Sequence, residues 1–334
     1  MAQPAGYTLP PPVPIVHPPT MEQLMHRAKL APDKEGGANI GRIWVCPDCR
    51  TENLPIDTLL LKMHPLRCSD PMCGTRNPTG HVWSMVTAVL NGVKLDMHIH
   101  NQGPFGTCSA HAFVAGLDFA KRIGGAIHGL VLTHPLDVKD LLQKFNVVYN
   151  DPLGAEKVTV LTHYRIPCLF SIVHMQGIQY LMPPCQNPLI PASTPQVLKI
   201  KSAFEVSTAD SDYIVHLLAA GIPLVTAAPL GRCFRYVSSG QIYDAPPVVC
   251  SHAILLIGFG VANWPGDDGG NPALAGWPED KSGNKLPRVF FRARNSWGDK
   301  EHANYALAGK GADFDIWADQ VYERAYGFHL QDAP

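Results

Sequence analysis

Gln102 stands six residues ahead of Cys108 in the turn Gln102-Gly103-Pro104-Phe105-Gly106-Thr107-Cys108, and an apolar helical pattern begins directly after it. His252, in Ser251-His252-Ala253, and Asn295, in Asn295-Ser296-Trp297-Gly298, follow later in the chain. A cysteine in the first turn of a helix feels the positive end of the helix dipole, which favours thiolate over thiol. A histidine beside it lowers the thiol pKa further and serves as its base. Gln102 can aim its amide at the place where an oxyanion develops, with the Cys108 backbone N–H as second donor. Asn295 can accept from the other ring N–H of His252 and so fix its tautomer and direction. Singly, each residue has an ordinary structural reading. Together they describe a thiol nucleophile, its base, the base's orienter and an oxyanion donor.

A second constellation lies upstream. Cys46 and Cys49, then Cys68 and Cys73, give the spacing C-x2-C-x18-C-x4-C. Two tight thiolate pairs suit tetrahedral Zn²⁺, and a unit this short needs such a staple to fold. Each pair is followed at the same offset by an asparagine, Asn53 and Asn77, and Gly74 helps the second turn expose N–H groups to sulfur. The pattern resembles a zinc ribbon holding one structural ion. Its expected partner is a protein, a ubiquitin-like domain or RNA, and the sequence does not choose among them.

The elements that must position these residues are legible in part. Apolar periodicity predicts a helix over Ser109 to Ile123, stopped by Gly124-Gly125. Further helices are expected over Leu136 to Phe145 and Ser211 to Ala220. Strands are expected at Ile222–Ala227, Gln241–Tyr243, His252–Phe259 and Val289–Ala293. Helices first and strands later point to an α+β fold rather than alternating βαβ units. Residues 261–287, rich in Gly, Pro and Asp, read as an inserted surface loop. Arg288, Arg292 and Arg294 share one face of a strand and read as a solvated face, with a preference for acidic substrates as the alternative. His98 and His100 read as solvated or cleft-rim residues, and Cys168, Cys185, Cys233 and Cys250 as core thiols. Cys250 lies two residues before His252, where oxidation would reach the site.

The 334 residues suit one large domain with a small one. The organisation expected is a flexible Pro/Gly-rich arm over 1–40, the four-cysteine module over 41–80 and a large domain over 84–332. Apolar residues at 46% permit a substantial core, and a net charge of −1 without basic runs gives no sign of binding to nucleic acid or anionic membrane. No stretch is long and apolar enough to span a bilayer, and the N-terminus lacks the pattern of a secretory signal. Nine cysteines then read as thiols or metal ligands in a reducing compartment, cytoplasm or nucleus.

The run Asn101-Gln102-Gly103 to Gly106-Thr107-Cys108 resembles the active-site segment of papain-family cysteine peptidases. Ser251-His252-Ala253-Ile254 with Gly258-Phe259-Gly260 is similar to that family's histidine strand, and Arg294-Asn295-Ser296-Trp297-Gly298 to its asparagine motif. His252 comes 144 residues after Cys108, within the family's interval. The resemblance implies a two-lobe fold, helical and β-barrel-like, with a cleft between the lobes. It implies peptide-bond hydrolysis of a peptide or protein substrate through an acyl-enzyme thioester. Cys108 is then the nucleophile, His252 the general base and acid, Asn295 the orienter, Gln102 the oxyanion donor, and Trp297 the shield over the His–Asn bond. Phe105 replaces the family's disulfide cysteine, Ser109 the aromatic residue after the nucleophile, and Ser251 the Asp or Asn before the histidine. The family's Gly-Cys-x-Gly-Gly segment is not visible in 145–185, nor is a helical propeptide. Two other readings share the residues: a catalytically silent scaffold acting as a zinc-dependent interaction module, and an acyl or isopeptide transferase using the same thiolate.

Overall fold

A computed structural model describes residues 12–25, 31–32, 44–46, 48–53, 67–70, 72–73, 75, 81–95, 98–132, 134–149, 162–181, 197–231, 234–237, 241–245, 250–262, 277, 279, 281, 283, 285–299, 302 and 312–331. Besides a short helix at Met21–Met25, the described helices are α1 (Cys108–Ile127), α2 (Val138–Tyr149), α3 (Thr162–Gln176) and α4 (Ser211–Ala219). The strands of the main sheet are β1 (His81–Ser84), β2 (Ile200–Ser207), β3 (Leu224–Leu230), β4 (Ile242–Tyr243), β5 (Cys250–Ala262), β6 (Arg288–Arg294), β7 (Asp313–Trp317) and β8 (Arg324–Leu330). Their order is β4-β7-β6-β5-β3-β8-β2, with β1 pairing along β5, and the sheet is open rather than a closed barrel. Pairing is antiparallel except between β4 and β7. The α+β class expected from the sequence is the class observed. Among the described residues no helix is long and apolar enough to cross a membrane.

The strand β5 organises the molecule. It is buried along nearly its whole length, as its run of Ala, Ile, Leu and Phe requires, and it carries α1 on one face. Leu255 and Phe328 close over Gly116 of α1, while Phe113 meets Phe170 and Phe328 edge to face at 4.9 and 5.7 Å. Gly258 admits the N-terminal strand: a Cβ there would lie 2.2 Å from the Trp83 carbonyl oxygen, so only glycine lets β1 pair with β5. The large sheet therefore begins at His81, three residues before the boundary expected.

The helix α1 outruns its expected end. Gly124 and Gly125 lie inside it, and the left-handed turn that stops it is Gly129, at φ +70°. Gly125 serves packing instead, because Leu132 fills the space a Cβ would need. The helix α3 was not anticipated, since Pro167 interrupts its sequence pattern. It is buried through Ile166, Leu169, Phe170 and Val173.

Two expectations are corrected. Within the arm, residues 12–25 are not a mobile tail. Ala203 N–H donates to the Pro14 carbonyl and Val16 N–H to the Ala203 carbonyl, so this segment covers the edge strand β2. Val13 and Leu24 are buried, and the Tyr213 hydroxyl donates to the Pro19 carbonyl. The remainder of 1–40, apart from Ala31–Pro32, lies outside the described residues.

The arginine face of β6 is likewise buried. Register sets Arg292 opposite Asp315 and Arg294 opposite Asp313 on β7, each a two-point ion pair with contacts of 2.7 to 3.1 Å. Arg288 pairs with Asp319 and lies 4.2 Å over the Trp317 ring. Carboxylates on the neighbouring strand satisfy the guanidinium groups of Arg292 and Arg294, and Asp319, just past that strand, pairs with Arg288. Most of the loop expected over 261–287 lies outside the described residues, although Trp277 stacks edge to face on Trp317 at 5.3 Å.

Candidate active site

Cys108 is the first residue of α1, and its N-cap Thr107 supplies no side-chain acceptor, so the first-turn N–H groups are not capped by it. The thiol is buried at 5% exposure. Burial raises its pKa, but a hydrogen bond and charge from His252 oppose this, joined by the Ala253 N–H and the Ser109 side chain. The net value is lowered from 9.0 to about 7. Ser109, one of the departures from the family pattern, thus acts on the thiol itself. His252, on β5, turns Nε2 to Asn295 Oδ1 at 2.8 Å, leaving Nδ1 as the nitrogen toward Cys108. Trp297 lies over the imidazole, with ring centroids 5.1 Å apart, and restricts water on that side.

Gln102 comes to the same place through the backbone. Its N–H donates to the Ser296 carbonyl at 2.8 Å, and Asn101 bridges to Trp297, so the nucleophile turn and the asparagine turn are stitched together. The Ser296 hydroxyl donates to Gln102 Oε1, while Gln102 Nε2 donates to the Phe105 carbonyl at 2.7 Å. One amide proton of Gln102 therefore remains to point elsewhere. All four residues expected from the sequence meet in one region.

Sequence reasoning missed two contributors. Ser296 stood within a quoted motif but was given no role. His302, with 3% exposure, lies behind Asn295, its Nε2 at 3.3 Å from Asn295 Nδ2. Nothing in its neighbourhood, Lys300-Glu301-His302-Ala303, marks it. His100 is corrected: it is buried, not at a rim, with rings of His98 and His111 at 5.4 and 5.6 Å and Asp118 at 3.8 Å. Cys168 and Cys250 pack against the core, and both burial and the nearby Cys108 raise the Cys250 thiol. Cys185 and Cys233 lie outside the described residues. A cavity of about 570 Å³ lined by Glu205, Thr208, Asp319 and Arg324 contains none of the four site residues.

The second constellation also closes. The sulfur atoms of Cys46, Cys49, Cys68 and Cys73 all lie within 4.8 Å of one another, with Cys46–Cys73 at 3.6 Å and Cys49–Cys68 at 3.4 Å. Four sulfurs about 2.3 Å from a tetrahedral ion stand roughly 3.8 Å apart, so the donor set fits a metal ion. Trp44–Val45 pairs with Glu52–Asn53 to carry the first pair of cysteines. Buried Asn53 places Nδ2 3.8 Å from Cys68 Sγ and accepts from the Ser69 N–H at 2.6 Å. Thr51 and Thr75, two residues after Cys49 and Cys73, hydrogen-bond those sulfurs at 3.2 and 3.1 Å. That repeated threonine offset was readable and was passed over. Gly74 and Asn77 lie outside the described residues. Arg67 ties this unit to Asp212 in the first turn of α4.

No protein-family description and no curated protein matches the chain. Solved structures do. The digestive procathepsin L2 proteinase of Tenebrio molitor larval midgut is 17% identical at a TM-score of 0.49, with 77% of this chain and 70% of that one covered. Digestive procathepsin L 3 of the same insect is 13% identical at 0.48, covering 79% and 74%. Xylellain, a cysteine protease from Xylella fastidiosa, is 14% identical at 0.45, covering 91% and 97%. These are the cysteine proteases the chain is similar to in structure, and likeness at these scores brings neither role nor substrate to it.

Proposed function

We propose that the chain is a cysteine-type peptidase that hydrolyses peptide bonds through Cys108, His252 and Asn295, with Gln102 as an oxyanion donor. One observation carries this reading: a buried helix-terminal thiol, lowered to about 7, hydrogen-bonded to a histidine whose far nitrogen is held at 2.8 Å by an asparagine. The Cys108 thiolate adds to the scissile carbonyl carbon. The resulting oxyanion takes hydrogen bonds from the Cys108 N–H and the Gln102 amide. His252 gives its proton to the departing amine, and the C–N bond breaks to leave a thioester. Water, deprotonated by His252, then attacks the thioester, and the acid and the thiolate are released. Ser296 orients Gln102, and Trp297 shields the His–Asn bond.

Cys46, Cys49, Cys68 and Cys73 hold one structural Zn²⁺, which when bound cross-links a segment too small to fold on apolar contacts alone. The module sits against α4 and recruits a substrate or protein partner. Metal analysis of purified protein is expected to give about one zinc per chain, falling by at least half in Cys46→Ser. An equal zinc content in that variant would refute the assignment.

Treatment with a peptide epoxide directed at thiols, followed by mass mapping, tests the chemistry. A single adduct at Cys108, lost in His252→Ala, is expected. A folded protein left unlabelled at Cys108 would sink the peptidase reading.

A further inference from the structure

We propose that His302 is a positioning residue that holds the Asn295 amide in the one orientation able to serve His252. The inference rests on the catalytic reading above and extends it by a fourth residue. An asparagine side chain has nearly the same shape in two orientations half a turn apart. Only one of them presents Oδ1 to the imidazole, and a free amide samples both.

The contacts choose one. Ser296 N–H can only donate, and it lies 2.7 Å from the same Asn295 Oδ1 that meets His252 Nε2 at 2.8 Å. The Asn295 amide nitrogen therefore points the other way, where His302 Nε2 waits at 3.3 Å. His302 Nδ1 lies 3.3 Å from the Val237 carbonyl. A carbonyl has no proton to give, so Nδ1 carries the hydrogen and the neutral ring leaves Nε2 bare. A bare nitrogen accepts from Asn295 Nδ2–H. The polarity then runs one way without a break, from Val237 C=O through His302 and Asn295 to His252 and Cys108. Reversing the amide would face two N–H donors at His252 and leave two acceptors opposed at His302.

The surroundings hold His302 to this task. It is buried between Phe234 and Phe314, with ring centroids at 4.8 and 5.4 Å. Its backbone sits at φ +58°, a left-handed conformation that is strained for a residue with a Cβ.

The test reads the Cys108 thiolate as a function of pH, by alkylation with iodoacetamide of the full-length, zinc-loaded protein. In His302→Phe the ring volume stays but the acceptor is gone. Alkylation near pH 6 is expected to fall about tenfold, the equivalent of one unit in thiol pKa, while the rate near pH 9.5 stays within about twofold. His302→Gln can accept from Asn295 and donate to Val237 with one amide, so it is expected to restore the wild-type profile. A folded His302→Phe with the wild-type profile overturns the proposal, as does a His302→Gln profile as impaired as that of Phe. Should His302→Phe fail to fold, nitrogen-15 NMR of the wild type decides: the proposal requires a protonated Nδ1 and a bare Nε2, and the opposite tautomer overturns it. A wild-type Cys108 that titrates as an ordinary thiol would instead sink the catalytic reading itself.

Discussion

Two buried polar assemblies flank the N-terminal half of α1, and they are built on different terms. One runs from Cys108 through His252 and Asn295 to His302, and its members share hydrogen bonds of one consistent polarity. The other gathers His100, His111, Asp118 and Lys121. There Asp118, fully buried, accepts from Lys121 at 3.1 Å and from the Leu136 N–H at 3.3 Å, but among the described residues His100 Nε2, 3.8 Å from Asp118, and His111 Nδ1 make no hydrogen bond. Lys121 also donates to the His134 carbonyl. The first assembly fixes directions; the second neutralises charge where the helix meets the 134–136 segment. Burial alone does not mark a reactive group. What separates the two is whether each tautomer is decided.

The contrast is broken most severely at the thiol. Cys108→Ala is expected to lower peptide hydrolysis about 10⁴-fold or more with the urea midpoint nearly unchanged, and Asn295→Ala about 10²-fold at a stability cost of about 1–3 kcal/mol from the buried partners it strands. Assays beside an unfolding curve check this. An Asn295→Ala protein whose activity per folded molecule matches the wild type would place the first assembly in the same class as the second.

The reverse experiment belongs to Asp118. Burial lowers the Lys121 pKa and Asp118 raises it, so removing the carboxylate leaves an ammonium without its counterion. Asp118→Ala is expected to cost about 3–5 kcal/mol in chemical denaturation, whereas Asp118→Leu with Lys121→Met recovers most of it. The rate of Cys108 alkylation per folded molecule should stay within about threefold. A much larger drop would mean that the second assembly sets the geometry of the first.

What was readable in the sequence follows how far apart the partners are. The pair Cys46/Cys49 and the turn Gln102 to Cys108 are local patterns, and local geometry enforces them. His252 and Asn295 were readable because each lies in a run with its own composition. The Arg292–Asp315 and Arg294–Asp313 pairs were misread because their partners are set by the register of β6 against β7, which no local pattern encodes. The fate of Gly125 turned on Leu132 packing against it, and that of residues 12–25 on an edge strand nearly two hundred positions away. His302 is the extreme case: its role depends on a left-handed turn, a carbonyl at Val237 and an amide at Asn295, brought together only by the folded sheet.

The smallest effect sharpens the comparison at His111, which lies one turn beyond Cys108 on α1. Burial, helped by the neighbouring His100, pushes its pKa from 6.5 down to about 3. The unfolded chain takes up a proton near pH 6.5 that the folded protein refuses until about 3. Stability unaffected above pH 7 is therefore lost progressively as pH falls from 6.5 toward 3. By pH 4 the loss is on the order of 2–3 kcal/mol, discounted for the part of the ring near solvent. His111→Leu removes the ionisable ring and should flatten that part of the acid limb, measured as the urea midpoint between about pH 7 and 4. Thiolate loss at Cys108 is a separate event centred near 7, read by alkylation, and His111→Leu should leave it in place. If both limbs move together, the two assemblies titrate as one, and the line between the directed network and the neutralising cluster runs elsewhere on the helix.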